Sequence, residues 1–271
     1  MSDSRAPDPQ HGYIKALNGD PLYAAYHAAA EKSGRRLPVV IAPPLFEERK
    51  SAYAALRQLA VALSAAGHPV MRFDYRGSGE SGGAGAARRW EHLAQDVATV
   101  RKTLASLTGK RDSGLLGLRL GATLALQESI RVGGECVVAL APIVSGAAQV
   151  RMWKMRSKIR SELSAQPAEA ISSAPPPAGT LDFDGYDVHP AFFEDVAKVD
   201  LLKDLAALSC PGLVVQLSHK QDAAPESTQL AALLGRRAKL TCLRMEPFWD
   251  KIDDVDTGPL QNAVLEFIAG I

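Results

Sequence analysis

Two glycine-bracketed stretches of this chain have the spacing of a catalytic turn. Gly79-Glu80-Ser81-Gly82-Gly83 matches G-x-S-x-G letter for letter, and Gly117-Leu118-Arg119-Leu120-Gly121 has the same frame around an arginine. The chemistry such a frame serves is acyl transfer by a serine raised above a sheet on a sharp strand-turn-helix bend. That geometry needs a strand directly before the turn and a helix directly behind it. The apolar run Gly114-Leu115-Leu116 enters Gly117 and a small-residue helical pattern follows Gly121, so residue 119 has the right context. Ser81 stands several residues past the strand "PVMRFDYRG" in a glycine-rich loop, and reads, like Ser78, as a loop or cap residue.

Arginine at position 119 excludes nucleophilic attack there, because a guanidinium keeps its proton and has no lone pair to offer. It offers instead a forked donor to an anion. A cation at a helix N-terminus opposes the positive end of the helix dipole, so a negative group is expected beside it. Glu47 and Glu48, just after Pro43-Pro44, are the first candidates and Asp222 the next; a bound carboxylate or phosphate is the other possibility. Two roles stay open for Arg119: permanent pairing that fills the pocket, or binding of an anionic ligand.

The elements that must position these residues alternate along the chain. A hairpin is expected over Tyr13 to Tyr26, around Asn18-Gly19-Asp20-Pro21. Leu37 to Pro44 reads as a buried strand stopped by its double proline. Helical periodicity covers Lys50 to Ala66, capped by Gly67, and Trp90 to Leu107. "CVVALAPIV", "GLVVQLS" and "AKLTCLRM" read as further strands, with a final helix over Gly258 to Ile268. Continuous apolar strands between helices predict an α/β fold: a mostly parallel sheet covered on both faces. Ser145 to Leu201 breaks the alternation with a basic helix-like stretch, a proline-rich loop and "FDGYDVHPAFFED". The expected organisation is a core of residues 1–144 and 202–271 with a cap insertion, 145–201, over the C-terminal edge of the sheet, where ligands bind in such folds.

Composition excludes several classes. With 31 Lys+Arg against 30 Asp+Glu, no general attraction to nucleic acid or an anionic membrane is indicated. Cys136, Cys210 and Cys242 have no metal-ligand spacing and read as reduced core residues, so neither a metal nor a cofactor is expected and a cytoplasmic setting fits. The polar "MSDSRAPDPQHG" terminus lacks a signal-peptide pattern, and no run approaches the ~20 apolar residues of a membrane span.

Several stretches resemble the α/β-hydrolase superfamily over nearly the whole chain. "FDYRGSGESGG" is similar to the strand and loop before the first covering helix of the serine-aminopeptidase-like branch, with Asp96 where that helix often carries an aspartate. "HKQDAAP" resembles the loop that holds the triad acid, which implies Asp222 for that role. More narrowly, "APPLFEERKSAY", "GLRLGA", "GYDVHPAF" and "PFW" together resemble the exosortase-A-system-associated hydrolases of the type called hydrolase 2. The resemblance implies an inserted helical cap and a pocket built at the elbow.

Set against that pattern, two of three triad members are missing. The elbow residue is Arg119, and no histidine follows His219, although the base of this fold stands after the last strand. "MEPFWDKIDD" occupies that place, with Phe248 and Trp249 where the imidazole would swing. His219, near Asp222, and His189, in the cap, are the nearest substitutes, and each alone names no reaction. Around Leu45 and Phe46, backbone N–H groups could still donate to an oxyanion, as Pro44 cannot; Leu120, directly behind the elbow, is placed with them as a binding residue. The cap cations Arg151, Lys154, Arg156, Lys158 and Arg160 read as a solvated helix face. Interleaved with Met152, Trp153 and Met155, they could also cover an amphiphilic ligand or a partner. Three functions follow: a non-hydrolytic pocket for an anionic small molecule or, as the resemblance implies, for an acyl or lipid-linked intermediate of an exopolysaccharide-related pathway; a hydrolase or acyltransferase with unconventional machinery; or a pseudoenzyme that binds a protein partner through its cap.

Overall fold

The computed structural model describes residues 8–30, 37–163, 178–220, 222–250 and 255–271. Residues 1–7, residues 31–36, residues 164–177 of the alanine- and proline-rich stretch expected to form a loop, Gln221 and residues 251–254 of "MEPFWDKIDD" lie outside the described residues.

In chain order, β1 (Gln10–Lys15) and β2 (Pro21–His27) form the hairpin about Asn18-Gly19. Then come β3 (Val39–Ala42), α1 (Phe46–Ala65), β4 (Val70–Phe73), α2 (Trp90–Leu107), β5 (Gly114–Leu118), α3 (Leu120–Val132) and β6 (Val137–Leu140). Next come α4 (Gly146–Leu163), the hairpin β7 (Leu181–Phe183) and β8 (Tyr186–Val188), and α5 (Pro190–Lys198), followed by the single turn α6 (Leu201–Asp204). The chain closes with β9 (Gly212–Ser218), α7 (Pro225–Leu234), β10 (Ala238–Arg244) and α8 (Gly258–Ala269).

One eight-stranded sheet runs in the order β1-β2-β4-β3-β5-β6-β9-β10. The β1–β2 and β2–β4 pairings are antiparallel and every later pairing is parallel. The side-chain alternation of a strand explains the two covered faces. Val40 and Ala42 of β3 join one core with Leu93, Val97, Val100 and Leu104 of α2, whereas Val39 and Ile41 join the other with α1 and α8. Several strands are shorter than the apolar runs that signal them. β6 ends at Leu140 because Ala141 turns to φ +43°, and β3 ends at the double proline. Conversely α1 begins four residues earlier than its periodicity suggests. Leu45 is extended before Phe46, and Glu47 and Glu48 occupy the first turn, where the dipole favours them.

The stretch between β6 and α6 begins and ends at adjacent points. Ser145 and Asp200 form an isolated β-bridge, Gly146 N donates to Val199 O at 2.8 Å, and Leu201 N donates to Val144 O at 2.9 Å. Between those points the segment packs Trp153, Phe183, Tyr186 and Phe192 edge-on around the ring of Phe46, at centroid distances of 5.1 to 6.0 Å. Among the described residues no helix is long and apolar enough to cross a membrane.

Candidate functional site

The two glycines of the elbow are set by sterics. A Cβ on Gly117 would strike the backbone of Gly121, and one on Gly121 would strike the backbone of Ala42 and Pro43. Helix α3 therefore crosses β3 and β5 closer than any side chain permits. Between them Arg119 adopts φ +56°, ψ −118°, a conformation that L-residues rarely hold outside such turns. Its N–H donates to Leu140 O at 2.9 Å, and its carbonyl accepts from Ala122 and Thr123 at 3.0 and 3.1 Å.

The guanidinium is enclosed. Nη2 donates to Gln149 Oε1 at 2.7 Å, Nη1 donates to Ala141 O at 3.2 Å, and Nε lies 3.5 Å from Glu48 Oε2. The Nε contact is electrostatic rather than a well-formed hydrogen bond, since both atoms lack a hydrogen-bond partner. Trp249 lays its ring 5.2 Å from the guanidinium carbon, a cation–π contact. Glu48 is buried and accepts from Gln149 Nε2 at 3.2 Å and Trp153 Nε1 at 3.4 Å. Burial pushes its carboxyl above the usual value, while Arg119 and the Trp153 hydrogen bond pull back.

Glu47, one residue earlier, points elsewhere: it pairs with Lys50 at 2.8 Å and accepts from the Tyr186 hydroxyl at 3.3 Å. Leu45, Phe46 and Leu120 are buried beside the elbow. Among the described residues, the backbone N–H groups of Phe46 and Leu120 meet no protein acceptor. His219 and Asp222 are exposed on the loop after β9 and neither pairs with Arg119; the Asp222 carbonyl accepts from Gln216 Nε2 at 2.9 Å. His189 caps α5, accepting from Ala191 N at 3.1 Å.

Ser81 is occupied by structure. Its hydroxyl donates to Asp74 O at 2.6 Å and accepts from Tyr23 N at 2.8 Å, which ties the glycine loop to β2. Ser78 Oγ accepts from Arg88 Nη2 at 2.9 Å. Asp96 receives Arg76 through its backbone N and guanidinium inside the core, which accounts for it without any catalytic task.

Gln149 is the residue that sequence reasoning missed at Arg119. Its signal was present in the helical spacing: Gln149, Trp153, Arg156 and Arg160 share one face of α4. Arg156 pairs with Asp250 at 2.6 Å and Arg160 with Asp184 at 2.9 Å, so the basic stretch is divided. Those two arginines are held in ion pairs, while Arg151 is exposed and Lys154, also exposed, lays its ammonium 5.6 Å from the ring centre of Phe193. A cavity of about 50 Å³ lies under α4, lined by Phe46, Glu48, Trp153, Arg156 and Trp249 among others. It has room for a few waters and not for a ligand in this closed arrangement. Among the described residues, no group of three His, Cys, Asp or Glu is placed to hold a metal.

Sheet order, elbow and insertion define an α/β-hydrolase fold. Residues 46–180 match the family described as serine aminopeptidase, S33. Among solved structures, the chain is similar to Est1E from Butyrivibrio proteoclasticus with ferulic acid bound, at 17% identity and TM-score 0.66, covering 96% of this chain and 98% of that one. A hypothetical protein from Pseudomonas aeruginosa matches at 14% identity and TM-score 0.67, over 100% and 98% of the two chains. Proline iminopeptidase from Mycobacterium smegmatis matches at 10% identity and TM-score 0.66, over 96% and 98%. No curated protein matches the sequence. The chain has the α/β-hydrolase fold. At these identities the structural likeness speaks for the fold alone.

Proposed function

We propose that this protein binds rather than cleaves: a non-hydrolytic α/β-hydrolase-fold protein with a degenerate triad, whose ligand is an anionic or acyl-containing small molecule taken under the 145–201 cap. One observation carries the non-hydrolytic half of this reading. The position that would hold a nucleophile is occupied by a protonated arginine locked to Glu48, Gln149 and Ala141 O. Serine-type acyl transfer needs a nucleophile and base acting together, and neither stands at the elbow. The aromatic wall around Phe46 suits an acyl or aromatic body, and the Phe46 and Leu120 N–H groups suit an oxygen acceptor. The motifs shared with the exosortase-associated hydrolases point to an acyl or lipid-linked intermediate of an exopolysaccharide-related pathway as the ligand.

A second reading, a partner-binding pseudoenzyme, is favoured by the outward face of α4. Met155 and Ile159 are 59% and 48% exposed there, beside the exposed cations Arg151 and Lys154. The deciding experiment combines fluorophosphonate labelling with turnover of p-nitrophenyl esters. The expected result is no labelling at any serine and no turnover above buffer. A labelled serine, or saturable hydrolysis abolished by Asp222→Asn, would establish the rival reading of an active hydrolase with unconventional machinery.

A further inference from the structure

The buried arginines near the sheet differ in how their charge is met. Arg76 is paired with Asp96, Arg101 with Asp112 and Glu128, and Arg119 with Glu48. Arg88 is 3% exposed and, among the described residues, pairs with no carboxylate. Its Nη2 donates to Gly77 O at 2.6 Å and Ser78 Oγ at 2.9 Å, while Nε and Nη1 have no acceptor. A guanidinium with two idle nitrogens inside a protein is costly unless something negative meets it. Burial draws its pKa down to about 10, so it still carries its charge at neutral pH.

The surroundings say what that something is. The guanidinium carbon lies 5.7 Å from the ring of Phe46 and 6.0 Å from that of Phe192. Phe46 also lines the cavity under α4, so one side chain borders both the cavity and the unpaired cation. The turn just before Arg88 packs against the insertion, with Gly85 beside the Asp187 carbonyl. Arg88 therefore stands at the seam between core and cap. Resting on the binding reading above, we propose that Arg88 receives the anionic group of the ligand, and that the ligand is a monocarboxylate on an apolar or aromatic acyl body. A single guanidinium matches a single negative charge. A phosphate dianion would want a second cation, and the cavity-lining Arg156 and Arg160 are already engaged by Asp250 and Asp184.

The test is calorimetric titration of the full chain with octanoate, methyl octanoate and inorganic phosphate, repeated on Arg88→Met, Arg88→Lys and the exposed control Arg236→Met, which lies far along the chain in the turn before β10. Octanoate should bind the wild type, with the methyl ester roughly tenfold weaker or worse and phosphate silent. Arg88→Met should weaken octanoate by at least about tenfold, Arg88→Lys should recover part of it, and Arg236→Met should change nothing. The melting temperature of unliganded Arg88→Met should hold or rise, because the half-exposed Gly77 and Ser78 can turn to water and two idle donors disappear. Undiminished octanoate binding by Arg88→Met would place the anion elsewhere and leave the binding reading standing. A drop beyond roughly 5 °C in that variant would make Arg88 structural and overturn the proposal. Silence of the wild type toward octanoate would overturn the monocarboxylate assignment; the binding reading itself falls separately, on fluorophosphonate labelling or ester turnover.

Discussion

The Gly79–Gly83 loop and the Gly117–Gly121 turn show how little a pattern of letters says about a catalytic position. The first spells G-x-S-x-G, yet its serine is spent on Asp74 O and Tyr23 N, holding a loop to β2. The second lacks the serine, yet has the buried strand, the positive φ at residue 119 and the helix behind it. In the first, glycine serves a turn in which side chains could still give way. In the second, backbone meets backbone and nothing can give. The geometry of an elbow resides in the stretch without the serine.

That contrast is open to a direct attack with alanine. Gly121→Ala drives a Cβ into the backbone of Ala42 and Pro43, and a loss of more than about 4 kcal/mol is expected in urea unfolding, enough to abolish folding. Gly83→Ala, at φ +93° and facing the Asp20 side chain, should cost only about 1–2 kcal/mol. Equal losses at the two sites would erase the distinction between them.

Arg119→Ser restores the letters of the motif to the stretch with the geometry. It leaves buried Glu48 without its cation, so the expected result is a loss of about 3 kcal/mol and still no ester turnover. Robust hydrolysis at undiminished stability would mean that a base is present and that Arg119 was never a structural partner. Ser81→Ala removes two hydrogen bonds, one given and one received. It should lower stability by about 1–2 kcal/mol and leave fluorophosphonate labelling at background, as mass spectrometry of the treated protein would report.

The smallest expected effect is the dependence on pH. Burial raises the Glu48 pKa in the fold above its value in the unfolded chain, so the folded protein binds this proton more tightly. Its contribution to stability is complete below the ordinary carboxylate range and fades as pH rises through the raised value. Glu48→Gln cannot titrate, so its stability should decline less than the wild type's over that window in a series of denaturant melts. Parallel curves would show that Arg119 compensates the carboxylate fully.

Much of this was legible beforehand because it rests on local rules. Trp90–Leu107 emerges as a helix with the bounds its periodicity predicts, and β9 matches "GLVVQLS". The elbow was legible because glycine spacing and flanking apolar runs lie within a few residues of each other. Glu47 and Glu48 were inseparable in sequence, because adjacent helix residues differ in direction by about 100° and only the tertiary position of α1 selects one. Gln149 lies on an inserted helix whose docking depends on the long-range Ser145–Asp200 bridge, so its meeting with Arg119 was hidden. Arg88 was passed over because a cation after a glycine loop looks solvated until Phe46 and Phe192 close over it.

The +56° φ at residue 119 has a wider implication. That conformation is secured by Gly117, by Gly121 and by backbone hydrogen bonds to Leu140, Ala122 and Thr123, none of which involves the arginine side chain. The turn is a mount indifferent to what it carries. A lineage can therefore exchange the residue on display, and with it the chemistry, in a single codon while the scaffold beneath is inherited unchanged.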